Sequence, residues 1–322
     1  MDFGILQHHY QVNSNILGWY WSRKYNGESV LWDGSVTRGK EVKDLPWSLG
    51  EQEISSGLWS LGRANKPKVI HATEDFLNGL PLDIPLHGEI WCSNDSRDIP
   101  SSICKTKIAS PLKWGLVKFL PFNIKPYYLW GLKKSTLSLK GQKFHYDTNF
   151  ETKIEILSSL ANSIIEPIMY HKIKSHTDIT EVLTLAKNSI WEGLCFNNPY
   201  SMYELKRSYN VLKWKPIYET EVKIIGWEDG KTGKNIGSIG AITCELVWDD
   251  KILSIFGGKH AKNCIGKKLV FNVCGLNETE RSNVKAIYPI GQELRISFNG
   301  VTSYGVPLHA NIYRENLCNQ KL

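Results

Sequence analysis

The feature that most constrains this chain is a two-residue turn, Asn26-Gly27, set between two runs rich in aromatic and β-branched residues. Such an arrangement is a strong signal for a strand, a tight loop and a returning strand. Lys24 comes just before the turn, at the mouth of the predicted loop. A lysine held there among tryptophans and tyrosines could lose its proton near neutral pH and act as a nucleophile. An exposed hairpin lysine would give the same local pattern. The local pattern alone therefore does not distinguish a nucleophile from a surface residue.

Length and composition favour two domains and a polyanionic partner. The chain has 322 residues and is 42% hydrophobic, which is enough for one large core or two moderate ones. Its formal net charge of +7 favours a negatively charged partner. No run of about 18 apolar residues is present and the first residues lack a basic start, so we expect neither a membrane span nor export. Seven cysteines without a Cys-x-x-Cys spacing indicate a reducing compartment.

Further charged residues lie beside predicted strands downstream. A Gly-Glu pair ends at Glu89 and a Glu-Gly pair starts at Glu192, so each carboxylate can reach a ribose hydroxyl or a metal-bound water. Lys213 and Lys215 alternate on a predicted strand, which points both ammonium groups to the face that a phosphate would occupy. Each segment alone is a weak signal, because a solvated strand residue gives the same pattern. Their occurrence in one order with Lys24 is the stronger observation.

These segments, in this order, resemble the motifs of the ATP-dependent DNA ligases. The family belongs to the covalent nucleotidyltransferase superfamily, together with RNA ligases and mRNA capping enzymes. Its motif K-x-D-G-x-R is similar to residues 24–29, L-D-G-E-L to residues 86–90, the strand ending in Phe-Asp to residues 117–126, E-G-[LI]-V to residues 192–195, and L-x-K-x-K to residues 212–215. A Gly-rich stretch at 226–240, similar to the first hairpin of the ligase barrel, and a Gly-Val-Pro turn at 305–307 extend the resemblance over nearly the whole chain.

The resemblance implies an enzyme that seals nicks in duplex DNA with ATP and Mg²⁺. The amine of residue 24 would take AMP from ATP and pass it to the 5′-phosphate at the nick, and the 3′-hydroxyl would then displace it. The residues implied for these roles are Lys24 as the nucleophile; Glu89, Phe122, Lys213, Lys215 and Arg63 at the nucleotide; Glu192 and Glu89 at the metal; and Arg38 on DNA. Lys133 and Lys134 belong to a lysine-rich stretch over 128–146, which is either a solvated basic loop or part of the surface that contacts DNA. Phe119 is the second candidate for the ring that stacks on adenine, and one of the two phenylalanines should be core.

The fold expected is α+β with two domains. Residues 1–216 would form a nucleotidyltransferase domain of the ATP-grasp-like ligase type, with antiparallel sheets and flanking helices. After Pro216 the chain carries several short β signals, so residues 217–322 would form an oligonucleotide-binding (OB) β-barrel that binds DNA. The resemblance further implies a monomer in a bacterial cytoplasm or that of a phage-infected host.

Local patterns predict particular elements. Apolar residues at three- and four-residue steps predict a helix over 150–165. The spacing of Asp178 and Glu181 predicts a capping box at the start of a second helix. Alternating Leu294, Ile296 and Phe298 predict one buried face of a late strand, and a hairpin is predicted across 249–250.

The chain departs from the ligase motifs at a few positions, which leaves other functions open. Asn26 and His87 stand where the family has aspartates, and Ser29 stands where it has an arginine. The arginines that could supply the missing cation are Arg23, Arg38 and Arg63. The alternatives are an RNA ligase or a capping-type nucleotidyltransferase, a catalytically weakened protein that binds nicked DNA, and a two-domain structural protein.

Overall fold

A computed structural model describes residues 6–11, 14–61, 67–94, 97–127, 131, 136–139, 142–145, 148–189, 191–231, 233–248, 265–302 and 304–314. The chain divides into two compact units. The first contains residues 1–10, 15–179 and 194–214, and the second contains residues 11–14, 180–193 and 215–322. No helix among the described residues is long and apolar enough to cross a membrane.

The first unit contains two five-stranded sheets, a separate hairpin and short helices. Its strands are β1 (Leu6–His9), β2 (Tyr20–Lys24), β3 (Glu28–Trp32), β4 (Leu58–Leu61), β5 (Pro67–Val69), β6 (Leu86–Trp91), β7 (Lys118–Ile124), β8 (Thr136–Leu139), β9 (Gln142–His145), β10 (His171–Lys172), β11 (Gly193–Asn197) and β12 (Arg207–Trp214). Its helices are α1 (Glu74–Asn78), α2 (Asp98–Lys105), α3 (Pro111–Trp114), α4 (Phe150–Ser158) and the start of α5 (His176–Lys187), which continues into the second unit.

The two sheets of the first unit differ in pairing. One has the order β1-β12-β11-β2-β10, in which β1 pairs with β12 in parallel and β11 pairs with β12 antiparallel. The other has the order β5-β4-β3-β6-β7 and is antiparallel throughout. The main core lies on this second sheet, where Trp32, Trp59 and Phe119 are buried together with apolar residues of α1 and α4. A mixed α+β fold is therefore confirmed.

The second unit is built on one antiparallel sheet with the order β15-β14-β13-β16-β17. Its elements are β13 (Tyr218–Asp229), β14 (Ile239–Val247), β15 (Lys268–Val273), α6 (Glu278–Ser282), α7 (Val284–Ile287), β16 (Glu293–Phe298) and β17 (Asn311–Ile312). Cys274, directly after β15, forms a parallel bridge with Asn311 of β17. Its amide donates to the carbonyl of Ala310 at 2.9 Å, and its carbonyl accepts from the amide of Ile312 at 3.0 Å. The sheet therefore curls until its two outer strands meet.

Several local predictions can be compared with these elements. The alternation at Leu294, Ile296 and Phe298 is confirmed, because all three are buried on β16. The helix predicted over 150–165 is shorter, since α4 ends at Ser158 and the Asn162 side chain accepts the amides of residues 164 and 165 in a turn. The hairpin predicted across 249–250 lies outside the described residues.

The predicted cap of α5 is wrong by one turn. Ser175, rather than Asp178, lies ahead of the helix, and its hydroxyl accepts the amide of Asp178 at 3.2 Å. The Asp178 carboxylate in turn accepts the hydroxyl of Ser175 at 2.6 Å and the amide of Lys174 at 2.7 Å. The chain offers an oxygen-bearing side chain at both positions, so the three-residue spacing alone could not choose between them.

Candidate active site

The loop after Lys24 is fastened to β6. Strand β2 ends at Lys24, β3 begins at Glu28, and the amide of Gly27 between them donates to Oε1 of Glu89 at 3.1 Å. A Cβ atom at residue 27 would lie 2.2 Å from the carbonyl oxygen of Ile90, so only glycine permits this approach. Two motifs far apart in the sequence, the lysine loop and the Gly-Glu pair, are thereby joined in the fold.

Aromatic rings line the start of this loop. Tyr25 and Trp91 meet edge to face with their ring centroids 5.3 Å apart. The guanidinium of Arg23 lies 4.8 Å from the Tyr25 ring centroid and 5.7 Å from that of Trp91, within cation–π range. A positive charge held against two rings therefore precedes the half-buried Lys24, so Arg23 is placed to supply the cation considered from the sequence.

A β-bulge gives the two candidate phenylalanines different environments. In the β6–β7 ladder Gly88 pairs with Pro121 and His87 pairs with Asn123, which leaves Phe122 as the extra residue. Bulges re-aim side chains and are frequent beside active sites. Phe122 is half-buried and packs in a small cluster with Trp91, whereas Phe119 is fully buried in the main core. Of the two rings, only that of Phe122 has surface left for a ligand.

Lys213 lies on β12 directly opposite Cys195 of β11. The side chains of Cys195 and Tyr25 are both close enough to Tyr170 to act on its hydroxyl: burial raises the pKa of Tyr170 well above its ordinary value, and these two groups add to the rise. Tyr170 also donates to the carbonyl of Phe122 at 3.3 Å. The Tyr170 side chain therefore lies near Tyr25, Cys195 and the backbone of Phe122. Because Tyr25 follows Lys24 and Cys195 pairs with Lys213, these three segments of the first unit lie close together.

The remaining motif residues, Glu192 and Lys215, fall in the second unit. Nζ of Lys215 and Oε1 of Glu192 form an ion pair at 2.6 Å, with side chains that are 18% and 19% exposed. Partial burial strengthens the Coulomb attraction between the two charges and limits its screening by salt. The Glu-Gly and Lys-x-Lys motifs, like the lysine loop and the Gly-Glu pair, therefore meet through a direct contact.

A hydrogen-bonded chain of neutral side chains occupies two of the altered motif positions. Oγ of Ser29 lies 3.1 Å from Nε2 of His87, and the hydroxyl of Tyr203 lies 2.8 Å from Nδ1 of the same ring. Burial, and then the charge of Lys125, lowers the pKa of His87 to about 3, so the imidazole is neutral at physiological pH. Burial likewise lowers the pKa of Lys125 to about 7. Sequence reasoning missed Tyr203, which lies outside the motif segments, and Lys125, which lies within residues 117–126 but was assigned no role.

The residues predicted to contact DNA are only partly described. The guanidinium of Arg38 forms an ion pair with Glu74 and donates to the side-chain oxygen of Asn78 at 3.0 Å, so it is directed at α1. Arg63, Lys133 and Lys134 lie outside the described residues.

Comparison with known proteins shows a similarity that extends over nearly the whole chain. The chain matches no protein-family profile. It is 25% identical over 311 residues to a DNA ligase of Haemophilus influenzae, a match that covers 97% of this chain and 91% of that protein. The chain resembles DNA ligases along nearly its whole length. The resemblance drawn from the motifs is thereby confirmed.

Solved structures give the same result for the fold. A structure described as "DNA binding with a minimal scaffold: Structure-function analysis of Lig E DNA ligases" matches with a TM-score of 0.66 and 22% identity, covering 98% of this chain and 99% of that one. A second, described as "Pmar-Lig_PreS3", matches with a TM-score of 0.64 and 18% identity, covering 97% of this chain and 67% of that one. At identities of 22% and 18%, these two structures support the fold alone.

Proposed function

We propose that this protein is an ATP-dependent DNA ligase that seals nicks in duplex DNA through a lysyl-AMP intermediate on Lys24. The observation that carries the proposal is the hydrogen bond from the Gly27 amide to Glu89, which fastens the lysine loop to the second motif in a chain similar to a DNA ligase from end to end. A solvated hairpin lysine, the competing interpretation, would not need a loop that is closed against a buried strand.

Three phosphoryl-transfer steps make up the proposed reaction, the first two at the α-phosphorus of ATP and the third at the 5′-phosphorus of the nick. Nζ of Lys24 attacks the α-phosphorus of ATP, and the bond to pyrophosphate breaks as the P–N bond forms. The 5′-phosphate at the nick then attacks the same phosphorus and releases the lysine. The 3′-hydroxyl finally attacks the 5′-phosphorus, and AMP leaves as the phosphodiester forms. Transfers of this kind depend on positioning and on neutralising charge on phosphate oxygens.

The described residues fit these requirements. Phe122 offers a half-buried ring on which adenine can stack, and Glu89 offers a carboxylate to a ribose hydroxyl. Lys213 and Lys215, two residues apart in the chain, supply positive charge to the α-phosphate. Arg23 precedes the nucleophile and would supply the cation that Ser29 lacks.

Magnesium fits these residues only together with the triphosphate. Among the described residues, no group of three His, Cys, Asp or Glu side chains is arranged to hold a metal ion. Mg²⁺ usually binds one or two carboxylates and completes its shell with water and phosphate oxygens. Glu89 and Glu192 each offer a carboxylate of the kind that would hold such an ion, which would neutralise charge on the bound phosphates.

The second unit would bind DNA as an OB-fold barrel. Its strands, taken in chain order, are connected as in that fold: the first pairs with the second and fourth, and the third meets the fifth in parallel at Cys274 and Asn311. The division proposed is therefore a nucleotidyltransferase domain over 1–216 and an OB domain over 217–322. Arg38, Lys133 and Lys134 would contact phosphates, and Arg63 the nucleotide or the 5′-phosphate end.

Labelling with ATP tests the proposal. The purified chain incubated with Mg²⁺ and ATP labelled at the α-phosphate should acquire a covalent AMP that is stable to denaturation, and a nicked duplex should be sealed. Lys24→Ala should abolish both, while Lys43→Ala, at an exposed lysine paired with Glu41, should preserve both. Transfer of label from GTP instead would indicate a capping-type enzyme. Binding of nicked duplex without any labelling would indicate a weakened DNA-binding protein, and either result would overturn the proposal.

A further inference from the structure

Two of the departures from the ligase motifs are in contact with each other. Ser29 stands at the arginine position of the first motif and His87 at the aspartate position of the second, and their side chains are 3.1 Å apart. In the β3–β6 ladder Ser29 lies opposite Glu89, and His87 is the next residue on the same face of β6. An arginine and an aspartate placed here would form a salt bridge within the sheet, and a change at one position alone would leave a charge without its partner.

Tyr203 completes the arrangement from a distant part of the chain. Its hydroxyl lies 2.8 Å from Nδ1 of His87, while Nε2 of the same ring faces Ser29. A neutral imidazole has one donor and one acceptor nitrogen, so two hydroxyls satisfy it fully. His87 is 2% exposed, and any rotation of the ring would break both hydrogen bonds in a site that water does not reach.

The fixed ring supports Phe122. The centroids of the His87 and Phe122 rings are 4.4 Å apart, and Phe122 is the extra residue of the bulge in β7. A bulged residue has no partner across the ladder, so its direction depends on the side chains that pack against it. The orientation of His87 therefore helps to set the orientation of the ring proposed to meet the base.

We propose that Ser29, His87 and Tyr203 form a positioning network that holds Phe122 in its nucleotide-binding orientation and replaces the charged pair of the ligase motifs. The inference rests on the proposed function, because it assigns the network a role in binding ATP. The network itself touches neither the transferred phosphorus nor the nucleophile. Its loss should therefore raise the KM for ATP more than it lowers the rate at saturating ATP.

Removal of single hydroxyls tests the network with little change in volume. Tyr203→Phe and Ser29→Ala should each raise the KM of lysyl-AMP formation for ATP about tenfold, because each leaves one buried ring nitrogen without its hydrogen bond. Tyr209→Phe is the matched control, since Tyr209 lies on β12, is 75% exposed and stacks on His8. His87→Gln, whose amide can imitate Nε2, should retain more ATP affinity than His87→Ala.

A charge-exchange cycle tests the replacement. His87→Asp alone should raise the KM for ATP more than tenfold, because it buries one unpaired charge. Ser29→Arg alone should also raise it, because the new charge meets a neutral imidazole and competes with the Gly27 amide for Glu89 on the facing strand. The double variant should recover at least half of the loss on a logarithmic scale, since its two charges can pair. Additive losses in the double variant would overturn the idea that the two positions act as a pair.

The readouts separate this inference from the proposed function. If the unaltered chain is not labelled by ATP, the proposed function fails before any variant is compared. If it is labelled and the hydroxyl variants keep its KM, the network has no role in binding ATP and the inference is wrong. A fall in melting temperature with an unchanged KM would also overturn it, because that result describes a structural contact alone.

Discussion

The two units of this protein differ in what they bury. All the buried polar and charged side chains among the described residues lie in the first unit: Ser22, Asp33, Thr37, Ser55, His87, Asn123, Lys125, Lys153, Asn197, Ser201 and Ser208. The core of the second unit is apolar, with Ile224, Ile242 and Ile296 fully buried. Buried polar groups are costly unless they are satisfied, so a fold retains them where they position other groups. The comparison indicates that the first unit uses buried polar groups to position other groups, whereas the core of the second unit is held by apolar packing alone.

Matched phenylalanine truncations should show the largest difference between the units. Phe298→Ala should lower the free energy of unfolding of the second unit by about 3–5 kcal/mol, because it empties a fully buried site. Phe122→Ala should lower stability less and reduce the affinity for ATP about tenfold or more, because it removes a stacking ring. Hydrogen exchange of each unit and ATP titration measure the two effects. Equal losses of ATP affinity in both variants would break the comparison.

We expect Glu89 to affect the rate of lysyl-AMP formation through both its charge and its hydrogen bond. Glu89→Ala should slow lysyl-AMP formation about a hundredfold, since it frees the Gly27 amide and lets the lysine loop shift. Glu89→Gln keeps an acceptor oxygen and should fall between Ala and the parent. Glu293→Gln, at an exposed position on β16 of the second unit, should leave the rate unchanged. Quench-flow labelling with ATP measures the rate, and equal rates for Ala and Gln would show that the hydrogen bond has no part in the effect.

Lys125 should give the first unit a stability that depends on pH. Burial lowers its pKa from 10.5 to about 7, so between these values the unfolded chain binds a proton that the folded chain does not. Its contribution to the free energy of unfolding therefore rises with pH through this window, by up to about 1.4 kcal/mol per pH unit. Lys125→Met should remove that rise, whereas Lys113→Met, at an exposed lysine, should keep it. Urea unfolding at pH 7, 8 and 9 measures the difference, and parallel curves for Lys125→Met and the parent would contradict the assignment.

Helix caps should show the smallest effect, and it should be the same in both units. Asn277 caps α6 in a capping box with Glu280, and Asn149 caps α4 by accepting the amide of Thr152 at 3.0 Å. Replacement of either asparagine by alanine should cost about 1 kcal/mol, because the satisfied group is a local amide. Hydrogen exchange of the two helices measures both losses. A much larger loss in one unit would show that its cap is coupled to the rest of the core.

The sequence predicted what depends on neighbouring residues. The strands on either side of Asn26-Gly27 and the alternation along β16 are patterns of a few adjacent side chains, and both are found in the structure. The expectation that the second strand returns along the first is wrong, because β2 and β3 join different sheets. Phe122 and Phe119 could not be separated in advance, because the bulge that distinguishes them depends on the register of β6 against β7. The cap of α5 was misplaced because Ser175 and Asp178 both carry suitable oxygens.

The motif residues of the candidate site could be proposed from the sequence, whereas the side chains that pack against them could not. Lys24, Glu89 and Lys213 stand out because chemistry-bearing residues recur in a known order. Nothing in the sequence marks Tyr203, which reaches His87 across 116 positions of chain. Contacts of this kind arise only when sheets pack, and no local pattern records them.

The contact between Cys274 and Asn311 has a consequence for the behaviour of the protein in solution. The outer strands of an open sheet present rows of unpaired amides and carbonyls, to which a strand of another molecule can add. Where β15 and β17 meet, these groups are used within the molecule, so stacking of copies edge to edge is blocked at that point. One common route to aggregation is thereby closed at that point.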